Sequence, residues 1–177
     1  MDEPGTRTST VHGHLAVLPV TEDDWRDLKE IRLAALAEAP GAFGSTLRRE
    51  QDLTEAHWRT WARSAEMFIA RAGGSPVGMA AGVPGRSDAE RKLVAMWVDP
   101  GWRGREVAGR LMSAVIGWAG SEGAARVTLW VAQGNDSARR FYAGRGFVFT
   151  GNSKPLPSNP VRCIDEMVLD LSSPSVR

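Results

Sequence analysis

Between residues 98 and 111 the chain reads Val-Asp-Pro-Gly-Trp-Arg-Gly-Arg-Glu-Val-Ala-Gly-Arg-Leu. An apolar run ends, Pro100-Gly101 enforces a turn, and a helix-compatible stretch begins among small residues and arginines. Free backbone N–H groups at a helix N-terminus carry roughly half a positive charge and suit a phosphate or pyrophosphate. Gly104 and Gly109 let a ligand approach the backbone, and Arg103, Arg105 and Arg110 can add charge-assisted contacts. On residue types alone, an ordinary strand–turn–helix with solvated arginines reads the same way. Two nucleotide loops do not fit. A P-loop closes on Gly-Lys-Ser/Thr, which the chain lacks, and a dinucleotide fingerprint needs three spaced glycines and a later acid.

A second constellation follows at Asn135-Asp136-Ser137-Ala138-Arg139-Arg140-Phe141-Tyr142, then Gly146-Phe147. Asn135 is placed to cap a short helix, and Tyr142 lies two turns along the same face. An amide and a phenol thus sit beside the C-terminal end of a strand, although Asn also caps helices without further role and Tyr next to Phe141 also packs cores. Cys163 is the only cysteine. It excludes an internal disulfide and a cysteine-based metal cluster, and with no His close in sequence it reads as a packing residue rather than a covalent nucleophile.

The elements that position these residues follow from periodicity. Residues 1–10 read as a loose tail and 11–171 as one domain, with a weak strand over Val11–Val20. Thr21 caps a helix whose Trp25, Leu28, Ile31, Ala35 and Leu36 recur at helical spacing until Pro40-Gly41. A second helix starts at Thr54 and puts Trp58 and Trp61 on one face. Met67–Ala72 and Val77–Val83 form a hairpin around Gly73-Gly74, and Leu93–Val98 is a third strand. Residues 103–120 form an amphipathic helix with Val107, Leu111, Val115 and Trp118 near one face. A strand over Val127–Val131, a helix over 135–143, a strand opening at Phe147 and Phe149, and a last strand through Met167, Leu169 and Leu171 complete the order. Lys154–Pro160, with three prolines, reads as a long loop. Helices first, then a sheet with two inserted helices, is an α+β or mixed α/β domain.

Composition bounds the function classes. Apolar residues make up 42% and charged residues 24%, and 22 basic against 21 acidic side chains leave a formal charge of +1. No global field draws the chain to nucleic acid or membrane, so any binding rests on local clusters. There is no apolar signal core and no run of about 18 apolar residues, so a cytoplasmic enzyme or binding module is expected.

The Val98–Leu111 stretch resembles the acetyl-CoA-binding motif of the GNAT superfamily, the Gcn5-related N-acetyltransferases. That pattern is Arg/Gln-x-x-Gly-x-Gly/Ala after a strand ending in Val-x-Pro. Arg103 fills its first position and Ala108 its last, while Glu106 stands where the family has its middle glycine. The Asn135–Tyr142 stretch with Gly146-Phe147 matches the family's second signature without gaps, and the resemblance covers about residues 66–170. It implies a mixed, mostly antiparallel central sheet of six to seven strands flanked by about four helices. It also implies direct transfer of an acetyl group from acetyl-CoA to a primary amine, without a metal.

The resemblance assigns the cofactor to Met96, Trp97 and Val98, whose backbone pairs with the pantetheine arm. The stretch Arg103, Gly104, Arg105, Glu106, Val107, Ala108, Gly109 and Arg110 takes the pyrophosphate, and Asn135, Ser137 and Tyr142 lie along the arm. Tyr142 is the general acid, a phenol of pKa about 10 matched to a thiolate. Glu106 is expected in the first helical turn, paired with Arg110, giving a weakened pyrophosphate site. For the base, Glu90 just before the third strand is a candidate, beside Glu66, His57, Glu166 and a water chain. Phe43, Trp58, Trp61 and Trp97 are candidates for an apolar acceptor cleft. Exposed strand edges and family analogy admit a homodimer. A catalytically silent acyl-CoA-binding module is the alternative, favoured by Glu106 and opposed by the intact Asn135 and Tyr142.

Overall fold

The computed structural model describes residues 14–172; the expected tail and positions 11–13 lie outside these. In chain order the elements are β1 (Leu15–Pro19), α1 (Trp25–Glu38), α2 (Leu47–Glu50), α3 (Glu55–Ser64), β2 (Glu66–Ala72), β3 (Ser75–Pro84), β4 (Glu90–Val98), α4 (Val107–Ser121), β5 (Arg126–Ala132), α5 (Asp136–Ala143), β6 (Val148–Leu156) and β7 (Asn159–Asp170). The strands form one sheet in the order β1-β2-β3-β4-β5-β7-β6, antiparallel except where β4 meets β5. This is the expected mixed, mostly antiparallel architecture, with seven strands and five α-helices among the described residues.

Strand alternation buries both faces of the central sheet. Leu93, Val127, Leu129, Val131 and Met167 face α4, which inserts Val107, Leu111 and Val115. Met67, Ile69, Met79, Ala81 and Trp97 face the other way, toward Leu28, Ile31 and Leu36 of α1 and Trp58 of α3. Gly82 in β3 admits the Trp118 ring of α4, which any Cβ there would overlap. Trp118 itself is half-buried; Met112 and Ala119 join the core face of α4 instead.

Several boundaries differ from the sequence expectation. Helix α4 begins at Val107, and residues 103–106 belong to the loop before it. Strand β4 begins at Glu90, so the charged Arg91-Lys92 pair lies inside the strand. Residues 154–160 are no long loop: Pro155 sits in β6 and Pro160 in β7, joined by a tight turn at Pro157-Ser158. β6 is the outermost strand, where a missing N–H need not break a ladder.

Candidate active site

β4 and β5 run parallel, but their ladder pairs are confined to Glu90–Arg126, Arg91–Val127 and Lys92–Thr128. Beyond these, β4 stays paired to β3 as far as Val98 and β5 to β7 as far as Ala132. The edge of β4 from Leu93 onward that faces β5 thus presents backbone donors and acceptors without a strand partner, and an extended amide chain can pair with such an edge. The splay has a local companion. Ala95 holds φ at 54°, and β4 contains one residue more than β3 between the Val94–Ala81 and Trp97–Met79 pairs. This bulge re-aims the side chains: Met96 packs toward the α4 face and Trp97 toward the α1 face.

The loop leaving β4 is built for a helix start. Asp99 accepts a hydrogen bond from the Gly101 N–H at 2.8 Å, closing the Pro100–Trp102 turn. Gly104 (φ 76°) and Glu106 (φ 58°) both adopt the left-handed conformation. α4 then starts with Glu106 as its N-cap residue and no side chain capping it. Helices α2, α3 and α5 are capped by Thr46, Thr54 and Asn135. The first-turn amides of α4, from Val107 through Ala108 to Gly109, are left for an external acceptor, which the helix dipole favours as an anion.

Glu106 therefore does not occupy the first helical turn. It precedes that turn, in a conformation that glycine adopts freely and a side chain resists, which explains in backbone terms why the family pattern has glycine there. Its carboxylate is exposed and turned to Arg110 at 3.7 Å, as the i,i+4 spacing led one to expect.

The three arginines of the motif all have protein partners. Arg103 donates Nε–H to the Val98 carbonyl at 3.1 Å and Nη2–H to Glu38 at 2.6 Å. Arg105 stacks on Trp102, and Arg110 also donates to the Leu15 carbonyl. Glu38, at the end of α1, further accepts from Trp97 Nε1 at 3.0 Å. Hydrogen bonds from Arg103 and Trp97 hold its carboxyl below the usual range. Sequence reasoning missed Glu38, because nothing local pairs positions 65 residues apart. It also missed Arg145. That guanidinium lies over the Phe141 ring, 3.8 Å from its centroid, and so close to Gly109 that a Cβ there would sit 3.1 Å from it. It has no carboxylate partner among the described residues.

On the far side of the splay, Asn135 caps α5 by accepting from the Ala138 N–H at 3.2 Å, leaving its amide N–H₂ group free to donate. Ser137 lies exposed in the first turn of α5. Tyr142 is buried, edge-on to Phe141 and Phe147 with centroids 5.3 and 5.7 Å apart. Burial pushes its phenol up.

Glu90 is not brought to this region. It stands at the opposite end of β4 from Val98, 1% exposed, with Arg86 and Thr128 donating to it and Arg126 at 3.3 Å. Burial pushes its carboxyl up, but the hydrogen bonds from Arg86 and Thr128 outweigh that and the net shift is downward. Glu166 shares the same pocket and is held by Arg86, Thr150 and Asn152. Both carboxylates are thus held by protein donors, and Glu90 stands at the end of β4 away from Val98. Glu66 opens β2 and His57 lies on α3, both on other parts of the fold.

With this geometry in view, the profile of the Acetyltransferase (GNAT) family matches residues 25–147. The chain belongs to the GNAT family. An uncharacterized N-acetyltransferase of Mycobacterium bovis is 40% identical over 85 residues, covering 48% of this chain and 54% of that relative. Counterparts in Mycobacterium tuberculosis match equally, so the aligned region spans about half the length of these curated relatives. Among solved structures, a GNAT-family acetyltransferase from Streptococcus pneumoniae superposes with TM-score 0.74 at 16% identity, over 89% of this chain and 100% of that one. YncA of Salmonella typhimurium, solved with its cofactor acetyl-CoA, superposes with TM-score 0.75 at 16% identity, over 93% and 98%. These likenesses establish the fold. No helix of the described residues is long and apolar enough to cross a membrane.

Proposed function

We propose that the chain is an acetyl-CoA-dependent N-acetyltransferase acting on a primary amine in a ternary complex. The observation that carries this reading is the pairing of an unpartnered β4 edge with an uncapped α4 N-terminus at the end of the same strand. The edge suits the amides of a pantetheine arm, and the α4 amides suit a pyrophosphate. Acetyl-CoA supplies an activated thioester; the chain orients it. Met96, Trp97 and Val98 offer the backbone, Asn135 its free amide donor, and Arg145 a cation beside the first turn of α4. Arg103 serves this site indirectly, by fixing the end of β4 and Glu38.

Tyr142 is the donor of the proton that the leaving sulfur takes up. Burial keeps the phenol protonated across the neutral range, and the same dry surroundings raise the basicity of a thiolate formed beside it, so donor and acceptor stay matched. The proton of the acceptor ammonium leaves through water, since Glu90 and Glu166 are engaged elsewhere. A silent acyl-CoA-binding module is the second reading, supported by Glu106 where close approach to the backbone favours glycine.

The test is thiol release from acetyl-CoA across a panel of primary amines, run on the native chain and Tyr142→Phe. Turnover with at least one amine, falling roughly a hundredfold in the variant with acetyl-CoA binding retained, supports the enzyme reading. Calorimetric binding of acetyl-CoA with no turnover across the panel favours the silent module. Equal turnover in both proteins removes Tyr142 from the mechanism.

A further inference from the structure

On the face of the sheet opposite α4, the helical layer contains a pocket of about 470 Å³ between α2 and α3. Its walls are the indoles of Trp58 and Trp61 with Leu53, and its mouth carries Ser45, Arg49 and His57. The walls are rigid. Trp58 is 1% exposed and donates its indole N–H to the Leu53 carbonyl at 3.3 Å, and its ring lies 5.6 Å from that of Trp61. Arg32 packs against the Trp61 and Phe43 rings. Trp58 backs this wall from within, and the accessible apolar surface is Trp61 with Leu53, a preorganised face against which a planar ring can lie at little entropic cost.

Charge narrows the ligand further. The one carboxylate at the pocket, Glu50, is bidentate to Arg32 at 2.9 and 2.8 Å and both side chains are nearly inaccessible, so that pair is internally neutral. Arg49 lies at the pocket mouth on the exposed side of α2, and its guanidinium has no carboxylate within ion-pair distance among the described residues. Its field also reaches Glu50, which burial pushes up but Arg32 and Ser45 hold below the usual carboxylate range. The pocket therefore holds one net positive charge at its mouth before His57 is counted. A cationic or purely apolar occupant would leave that guanidinium unmatched, whereas a carboxylate can accept a forked pair of hydrogen bonds from it.

We infer that this pocket is a binding site for planar aromatic carboxylates, with the ring against Trp61 and Leu53 and the anion on Arg49. It is distinct from the donor cradle, which lies across the sheet at α4, and it does not depend on the acetyl-transfer reading. Its occupant is recognised by an aromatic plane carrying one negative charge at its edge.

The experiment is isothermal titration calorimetry of the full chain with 2-naphthoate, 2-naphthamide and 2-naphthylmethylamine. Controls are Arg49→Gln at the mouth, Arg48→Gln on the neighbouring exposed position, and Trp61→Leu in the wall. Thermal melts verify that each variant is folded. Saturable binding of naphthoate is expected, with the neutral amide roughly tenfold weaker, as one charge-assisted contact implies. Arg49→Gln should erase that gap, Arg48→Gln should leave it, and Trp61→Leu should weaken acid and amide alike. The inference is overturned if naphthoate shows no saturable binding, if the amide or the amine binds as well as the acid, or if the two arginine variants weaken the acid equally.

Discussion

Replacing Glu106 by glycine tests whether the departure from the family pattern is a matter of backbone or of charge. Glu106 is held at φ 58°, a conformation that costs a side-chain-bearing residue about 1–2 kcal/mol and glycine almost nothing. Against this stands the loss of the Arg110 contact. It is 3.7 Å long between side chains that are 51% and 82% exposed, so solvent screening reduces it to a few tenths of a kcal/mol. Glycine also has the more flexible unfolded chain, which removes a further fraction of the gain. The net expectation for Glu106→Gly is about 0.5–1 kcal/mol of added stability, or roughly 2–3 °C in a domain of this size. Glu106→Ala keeps the strain and loses the contact, so it should fall slightly below the native chain, and Glu106→Asn, which tolerates the left-handed region, should lie between.

Cofactor affinity follows a different order. All three variants remove an exposed negative charge beside the first-turn amides of α4, which should tighten acetyl-CoA binding by a few-fold at low salt and less at high salt. Glycine should tighten it further, because it alone also removes the Cβ from the line of approach. Differential scanning calorimetry gives the stabilities, and isothermal titration at two ionic strengths gives the affinities. Equal melting temperatures for the glycine and alanine variants would refute the backbone argument. An unchanged acetyl-CoA dissociation constant in Glu106→Gly would refute the placement of the pyrophosphate at this helix start.

Two further outcomes are expected. Tyr142 is the only tyrosine in the chain, so absorbance at 295 nm titrates it alone. Because burial raises its folded pKa, its contribution to stability is complete below the unfolded value of about 10 and is lost as the pH climbs above it. Phenolate should therefore appear only with unfolding, and Tyr142→Phe should flatten the fall of melting temperature between pH 9 and 11; an ordinary titration near pH 10 in the folded protein would contradict the burial. Arg32→Met leaves Glu50 buried without its bidentate partner, at a cost of about 3–5 kcal/mol by urea unfolding. The double variant Arg32→Met/Glu50→Leu should recover most of that loss, and a single variant within 1 kcal/mol of native would show that Glu50 does not need its partner.

The features legible in the sequence were those set by neighbours along the chain. Gly73-Gly74 between alternating apolar runs marks the β2–β3 hairpin, Thr54 caps α3, and Asn135 caps α5, all with local causes. What escaped was set across the fold. The start of β4 was hidden because Arg91-Lys92 looks like a turn until Glu90 is seen paired to Arg126 and shielded by Arg86. The β6–β7 turn was hidden because prolines read as loop until β6 is known to be the outermost strand.

The same division between local and cross-fold causes runs through the loop after β4. Its arginines, taken from sequence, look like three phosphate ligands, yet Arg103 ties β4 to Glu38 of α1 and Arg110 ties α4 to β1. Among the described residues, the cation beside Gly109 without a carboxylate partner is Arg145, which no motif spacing marks. The meaning of the motif thus shifts from its side chains to its backbone: two left-handed residues, Gly104 and Glu106, deliver an uncapped helix to the end of an open strand. Glycine at 106 would achieve that geometry without strain. A glutamate there achieves it because the remainder of the loop, anchored through Asp99 at one end and Arg103 at the other, fixes the path regardless of the residue that must follow it.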